Sequence, residues 1–199
     1  MNGEKLYFQM WHILKYMGTD QWQIKYNTLI SLGLLKTSAP SRVVNVSSGA
    51  HHMGSLLNVD DLNYEKNPFP NSFVVYGRSK LANILFTKEL SEKLRRTDVT
   101  ANSVHPGVVY TEFLWKGETK LIEAILDLLV RLMGKDEKLG AQTSIYLAVS
   151  EEVNNVTGKY YVDCKDTKVS AAAKDAGLAK KLWEASEQLV KLRPEERHY

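Results

Sequence analysis

Two short β-branched runs, Arg42-Val43-Val44-Asn45-Val46 and Val99–Val104, lie on either side of one helix-length stretch, and that alternation limits the fold more than any other feature of the sequence. Each run reads as a buried strand. The first ends in Ser47-Ser48-Gly49 and the second in His105-Pro106-Gly107, both rich in turn formers. Between them, Tyr76–Leu94 repeats Leu81, Ile84, Leu85 and Leu90 at helical spacing, after a polar, turn-rich stretch that contains Pro68 and Pro70. Downstream come helical patterns over Leu121–Met133, Leu139–Ser150 and Leu178–Leu192, with a third strand at Gly158–Val162. A looser helical pattern covers about 21–36 and stops before Pro40. Parallel strands need a crossover connection, usually a helix, and strands alternating with helices of this length fit that pattern. The expected class is therefore α/β, with βαβ units around a parallel sheet.

The chain has 199 residues, enough for one domain, and 44% hydrophobic with 25% charged residues is ordinary for a folded globular protein. The net charge of +3 comes from Lys and Arg interspersed with Asp and Glu, most visibly over Lys88–Arg96 and Lys174–Arg197. These are solvated helix faces rather than a basic stripe with aromatic platforms, so no nucleic-acid partner is expected. A single cysteine, Cys164, excludes an internal disulfide and a Cys-based metal site. We read it as a small buried apolar residue. No apolar run approaches the ~18–20 residues of a membrane span, and Met1-Asn2-Gly3-Glu4-Lys5 lacks the apolar core of a signal peptide.

The chemistry concentrates in Tyr76-Gly77-Arg78-Ser79-Lys80. Four residues make about one helical turn, so the phenol and the ammonium share a face. A phenol is a poor acid or base at neutral pH, and an ammonium a few ångströms away favours its ionised form. Taken alone, the pair reads as surface packing, and Ser47 and Ser48 as a strand end. Together they gain meaning, since ligands of open α/β sheets bind beyond the carboxyl ends of the strands. That is where Ser48, Pro106 and Gly107 fall, with Thr111 four residues beyond Gly107. His51-His52 reads as a solvated loop pair and not as metal ligands.

Asn45-Val46-Ser47-Ser48, Tyr76-x-x-x-Lys80 and His105-Pro106-Gly107-Val108-Val109-x-Thr111 resemble the short-chain dehydrogenase/reductase family. The segments 38–48, 79–87, 140–144 and 158–164 are similar to its retinol-dehydrogenase-like branch, in order over about residues 36–192. The resemblance implies a partial Rossmann-like doubly wound parallel sheet lacking its first strands. It implies Ser48 polarising a substrate carbonyl, Tyr76 as general acid/base, and Lys80 assisting Tyr76 while binding the nicotinamide ribose. Tyr76, Lys80, Pro106, Gly107 and Thr111 would contact the nicotinamide end of NADP(H) or NAD(H), with no preference legible between the two. The implied reaction is hydride transfer on an alcohol/carbonyl pair of a hydrophobic, retinoid-like substrate. Leu121–Met133 falls in the family's substrate-covering region, and its apolar stripe serves core packing, a lipid-like substrate or peripheral membrane contact. Self-association as a homo-oligomer, and an intracellular place in the cytoplasm or on the endoplasmic reticulum surface, come with the same resemblance.

The sequence also departs from that pattern. Gly3, Gly18 and Gly33 are isolated, and no Gly-rich turn after a strand precedes the matched segments. Residues 1–35 read as a divergent N-terminal segment and 36–199 as the C-terminal part of the domain. Asp20 stands where the branch carries an Asn that supports the catalytic Lys, so no role is carried over. The expectation is that this chain alone binds dinucleotide weakly or not at all. The alternatives are an inactive form acting as an interaction partner, or a non-functional product.

Overall fold

The computed structural model describes residues 25, 27–54, 57–67, 72–108 and 134–199. The expected stripe at Leu121–Met133, Thr111, Asp20, Pro68, Pro70 and most of the N-terminal segment lie outside the described residues. Among those described, a helix over 27–37 (α1) leads into β1, Ser41–Val46. There follow α2, Ser72–Lys93; β2, Val99–His105; α3, Glu137–Val149; β3, Tyr160–Val162; and β4, Lys165–Asp166. A short α4, Ala171–Lys174, and α5, Ala176–Leu189, close the chain.

The four strands form one sheet in the order β1-β2-β3-β4. The first three run parallel, with Val46 opposite Val104 and Ser103 opposite Tyr160, and β4 returns antiparallel with Val162 opposite Lys165. The parallel part matches the βαβ expectation. The β3–β4 hairpin was not foreseen; its two-residue turn is Asp163-Cys164, with φ of 51° and 60°. Positive φ at both central residues is the turn whose twist matches a hairpin. Cys164 is therefore a half-exposed turn residue, not the buried one expected, and its amide donates to Thr143 Oγ1 at 3.3 Å.

Successive side chains of a strand point to opposite faces, and the core follows that alternation. On one face Val43, Val99 and Ala101 join Leu29 and Leu32 of α1, Phe86 and Leu90 of α2, and Trp183 of α5. On the other, Val44, Val104 and Tyr161 meet Leu147 of α3 and Val153. A third cluster joins Leu81 and Leu85 to Tyr160, Ala179 and Leu182. Six of the seven residues of β2 are buried, as a parallel strand covered on both faces requires. Helices on both faces make this part of a doubly wound, Rossmann-like α/β sheet.

Helix starts follow their caps. Asp136 accepts from the Leu139 amide at 2.7 Å, Asp175 from Leu178 at 2.9 Å, and Ser170 from Ala173 at 3.3 Å. Trp183 holds the α2–α5 contact. It stacks on Phe86 with ring centroids 5.1 Å apart, meets Tyr199 edge-on at 5.0 Å and donates Nε1–H to Glu187 at 2.7 Å. Replacing Trp183 with Ala should lower unfolding stability by about 3–5 kcal/mol in urea denaturation, whereas Val149→Ala, at a site 70% exposed, should change it by less than ~0.5 kcal/mol.

Candidate active site

The end of β1 is sewn to one face of α2 by hydrogen bonds from three consecutive residues. Asn45 Nδ2 donates to Thr87 Oγ1 at 2.8 Å, and Thr87 Oγ1 in turn donates to the Asn83 carbonyl at 2.7 Å. Asn83 Nδ2 donates to the Val46 carbonyl at 3.0 Å. Ser47 Oγ donates to the Lys80 carbonyl at 2.8 Å. Residues 80, 83 and 87 stand at helical i, i+3 and i+7 positions, so one face of α2 runs along the strand end. Asn45, Ser47, Asn83 and Thr87 are all buried, so each polar atom needs its partner.

That seam separates the two serines. Ser47 is 2% exposed and its hydroxyl hydrogen is committed to the helix. Ser48 is half-buried, and its oxygen accepts from the Ala50 amide at 3.1 Å, which leaves the hydroxyl hydrogen free to donate elsewhere. After Ser48 the chain makes a 3₁₀ turn, Gly49–Gly54, that lies on α2 beside the tyrosine. A Cβ on Gly77 would stand 2.6 Å from the Ala50 carbonyl oxygen, and one on Gly54 would stand 2.6 Å from the Gly77 carbonyl oxygen. Only glycines permit this approach, and it sets residues 48–50 next to the turn of helix from Tyr76 to Lys80.

Tyr76 and Lys80 lie on α2, with the Lys80 ammonium 5.4 Å from the centre of the Tyr76 ring. Burial holds the Lys80 ammonium below the usual lysine value. Beside them β2 ends at His105, whose Nδ1 accepts from the Gly107 amide at 3.3 Å. Gly107 has φ of 94°, and a Cβ there would meet the Lys135 side chain at 2.9 Å. The parallel register carries Ser48 and the 106–107 turn to the same edge of the sheet, and a Cβ on Gly49 would come within 3.4 Å of His105 Nε2. The structure thus brings Ser48, Tyr76, Lys80, Pro106 and Gly107 to one edge. An ion pair between Lys135 and Asp163 flanks Gly107 there.

Sequence reasoning missed the seam residues Asn45, Asn83 and Thr87; polar residues inside an apolar helical repeat were the available signal. It also misplaced His51. His52 is exposed, as expected of a loop, but His51 is fully buried, because both of its ring nitrogens have backbone partners inside the fold.

A profile of the short chain dehydrogenase family matches residues 28–121. Retinol dehydrogenase 14 of Homo sapiens is 47% identical over 83% of this chain and 48% of its own length. Human retinol dehydrogenases 12 and 13 are 44% and 42% identical, each over 83% of this chain and 51% and 50% of their own lengths. The chain spans about half the length of the curated relatives it matches. A solved structure, a putative uncharacterized protein from Mycobacterium paratuberculosis, superposes with a TM-score of 0.55 at 31% identity, covering 76% of this chain and 50% of that one. The chain is similar to the short-chain dehydrogenase/reductase family over these matched residues. Within it, the similarity falls on the retinol-dehydrogenase-like branch.

Two site histidines give the fold a pH signature. His51 and His105 are both held below the ordinary value of 6.5, first by burial; His52 and His105 add to the effect at His51, and Lys135 adds to it at His105. A histidine with a depressed folded pKa contributes stability that is present above its unfolded pKa and lost as the pH falls. Unfolding free energy in urea should stay level from about pH 8 to about pH 7 and decline as pH drops below about 6.5. Constant or rising stability across that window would contradict the burial of both imidazoles.

Proposed function

We propose that this chain carries the catalytic part of an NAD(P)(H)-dependent oxidoreductase that interconverts an alcohol and a carbonyl on a hydrophobic, retinoid-like substrate. The observation that carries it is Tyr76 and Lys80 one helical turn apart, ammonium 5.4 Å from the ring, at the strand edge where Ser48 follows β1. Two features suit the nicotinamide-ribose end of a dinucleotide: a desolvated ammonium beside a phenol, and a glycine turn with no side chain at the neighbouring strand end. Lys80 would hold the ribose, while Pro106, Gly107 and Thr111 would line the nicotinamide end.

When bound, the cofactor supplies or accepts the hydride. The residues of this chain handle the oxygen and its proton. In the reducing direction Ser48 donates its free hydroxyl hydrogen to the carbonyl oxygen and fixes its position. Tyr76 would give that oxygen a proton, and Lys80 would stabilise the charge left on the phenol oxygen. In the oxidising direction Tyr76 takes the proton back. Residues 36–199 form the C-terminal part of the domain in this reading and 1–35 a divergent segment before it. The names of the relatives, retinol dehydrogenases 12, 13 and 14, favour a retinoid over a polar substrate. Among the described residues no helix is long and apolar enough to cross a membrane.

With saturating NADPH and all-trans-retinal, Tyr76→Phe should lower the rate of retinol formation by about 10²–10⁴-fold. Ser47→Ala should act mainly on stability and Ser48→Ala on rate. Retained turnover in Tyr76→Phe, or a wild-type chain that turns over neither retinal nor any other apolar aldehyde, would overturn the reading.

A further inference from the structure

His51 is a buried titratable group that the proposed chemistry does not use. It sits three residues after Ser48, yet it also touches a segment 119 residues away. Its Nδ1 lies 2.8 Å from the Ser48 carbonyl oxygen, and its Nε2 lies 3.2 Å from the Ser170 backbone nitrogen. A carbonyl only accepts and a backbone N–H only donates, so the two partners leave the ring one arrangement. Nδ1 carries the proton, Nε2 does not, and the imidazole is neutral. The Ser48 carbonyl also accepts the His51 amide at 3.1 Å, so main chain and side chain of His51 grip the same oxygen.

The Ser170 end of this bridge and the imidazole itself are held by further contacts. Ser170 caps α4 by accepting the Ala173 amide at 3.3 Å. The imidazole meets the Tyr160 ring edge-on at 5.0 Å and lies 4.0 Å from His52. Ser48 is half-buried at the end of a strand, where the regular ladder no longer constrains it. The sheet holds Ser47 through its amide, which donates to the Val104 carbonyl at 2.7 Å, but the strand pairing stops one residue earlier. What orients the Ser48 peptide is the turn that follows, and His51 ties that turn to the start of α4.

We propose that His51 is a positioning residue for Ser48: its neutral imidazole clamps the Ser48 carbonyl to the cap of α4 and so fixes where the Ser48 hydroxyl points. The inference rests on the oxidoreductase reading for its purpose, though the clamp itself is independent of turnover. It differs from a plain packing role in demanding two separate atoms. An Asn at position 51 can offer an N–H where Nδ1 stands, and a Gln can offer an acceptor where Nε2 stands, while Ala offers neither.

The experiment is amide hydrogen exchange on the purified chain and its His51→Asn, His51→Gln and His51→Ala variants, with side-chain ¹⁵N spectra of the wild type. The wild-type spectrum should show the neutral Nδ1–H form at about pH 7. In His51→Ala, exchange at Ala50 and at Ser170 should each accelerate by about tenfold. His51→Asn should restore Ala50 and leave Ser170 fast, and His51→Gln should do the reverse. With NADPH and retinal, kcat should follow Ala50 and so recover in Asn and not in Gln, at unchanged KM for the cofactor.

Parallel loosening of both amides in Asn and Gln alike would mean general packing, and would overturn the proposal. So would an Nε2–H or cationic His51 in the wild type, a result that stands even where a variant does not fold. The crossed exchange pattern without any turnover leaves the clamp standing and removes the oxidoreductase reading. Turnover that ignores the crossed pattern does the opposite.

Discussion

The site depends on one row of buried hydrogen bonds between the end of β1 and a single face of α2. Asn45, Val46 and Ser47 meet Thr87, Asn83 and Lys80 in antiparallel order along the helix. Asn45, Ser47, Asn83 and Thr87 are buried in an otherwise apolar interface, so a slip of the helix by one turn would strand several polar atoms at once. Apolar packing between Leu81, Leu85 and the neighbouring helices tolerates small adjustments; the polar row does not. Lys80 enters the row through its carbonyl, which fixes the backbone from which its ammonium and the Tyr76 ring project.

The same row explains why two adjacent serines have different fates. Alternation along a strand turns the Ser47 side chain toward α2, as it does Asn45. Ser48, one step on, leaves the sheet into a 3₁₀ turn that is pressed onto Gly77. Burial of the turn then depends on glycine at 54 and 77 and on the His51 bridge to Ser170. Positioning at this edge is thus shared between a local row near β1 and a long-range tie to the C-terminal part of the chain.

The elements themselves were legible in the sequence. Runs such as Val43-Val44 and the spacing of Leu81, Leu85 and Leu90 locate β1, β2, α2 and their order to within a few residues, because burial on a strand or helix imposes its own period. The one-turn spacing of Tyr76 and Lys80 was legible too, although taken alone it reads as surface packing. The β3–β4 hairpin was not, since Asp163-Cys164 lacks the Asn-Gly signature of its turn. Asn83 and Thr87 hid because polar residues in a helix ordinarily mark its solvated side, and here that side faces a strand end. His51 hid because its two partners are backbone groups, one of them 119 residues distant, and backbone atoms leave no trace in side-chain pattern.

In the proposed function this edge is the nicotinamide end of a dinucleotide site, and the most direct test is saturation-transfer NMR of NADPH with the purified chain and its Lys80→Ala variant. The prediction is transfer that is stronger to the nicotinamide and adjoining ribose protons than to the adenine protons, and that falls when Lys80 is replaced. Transfer confined to the adenine, transfer indifferent to Lys80, or no transfer at all would contradict it.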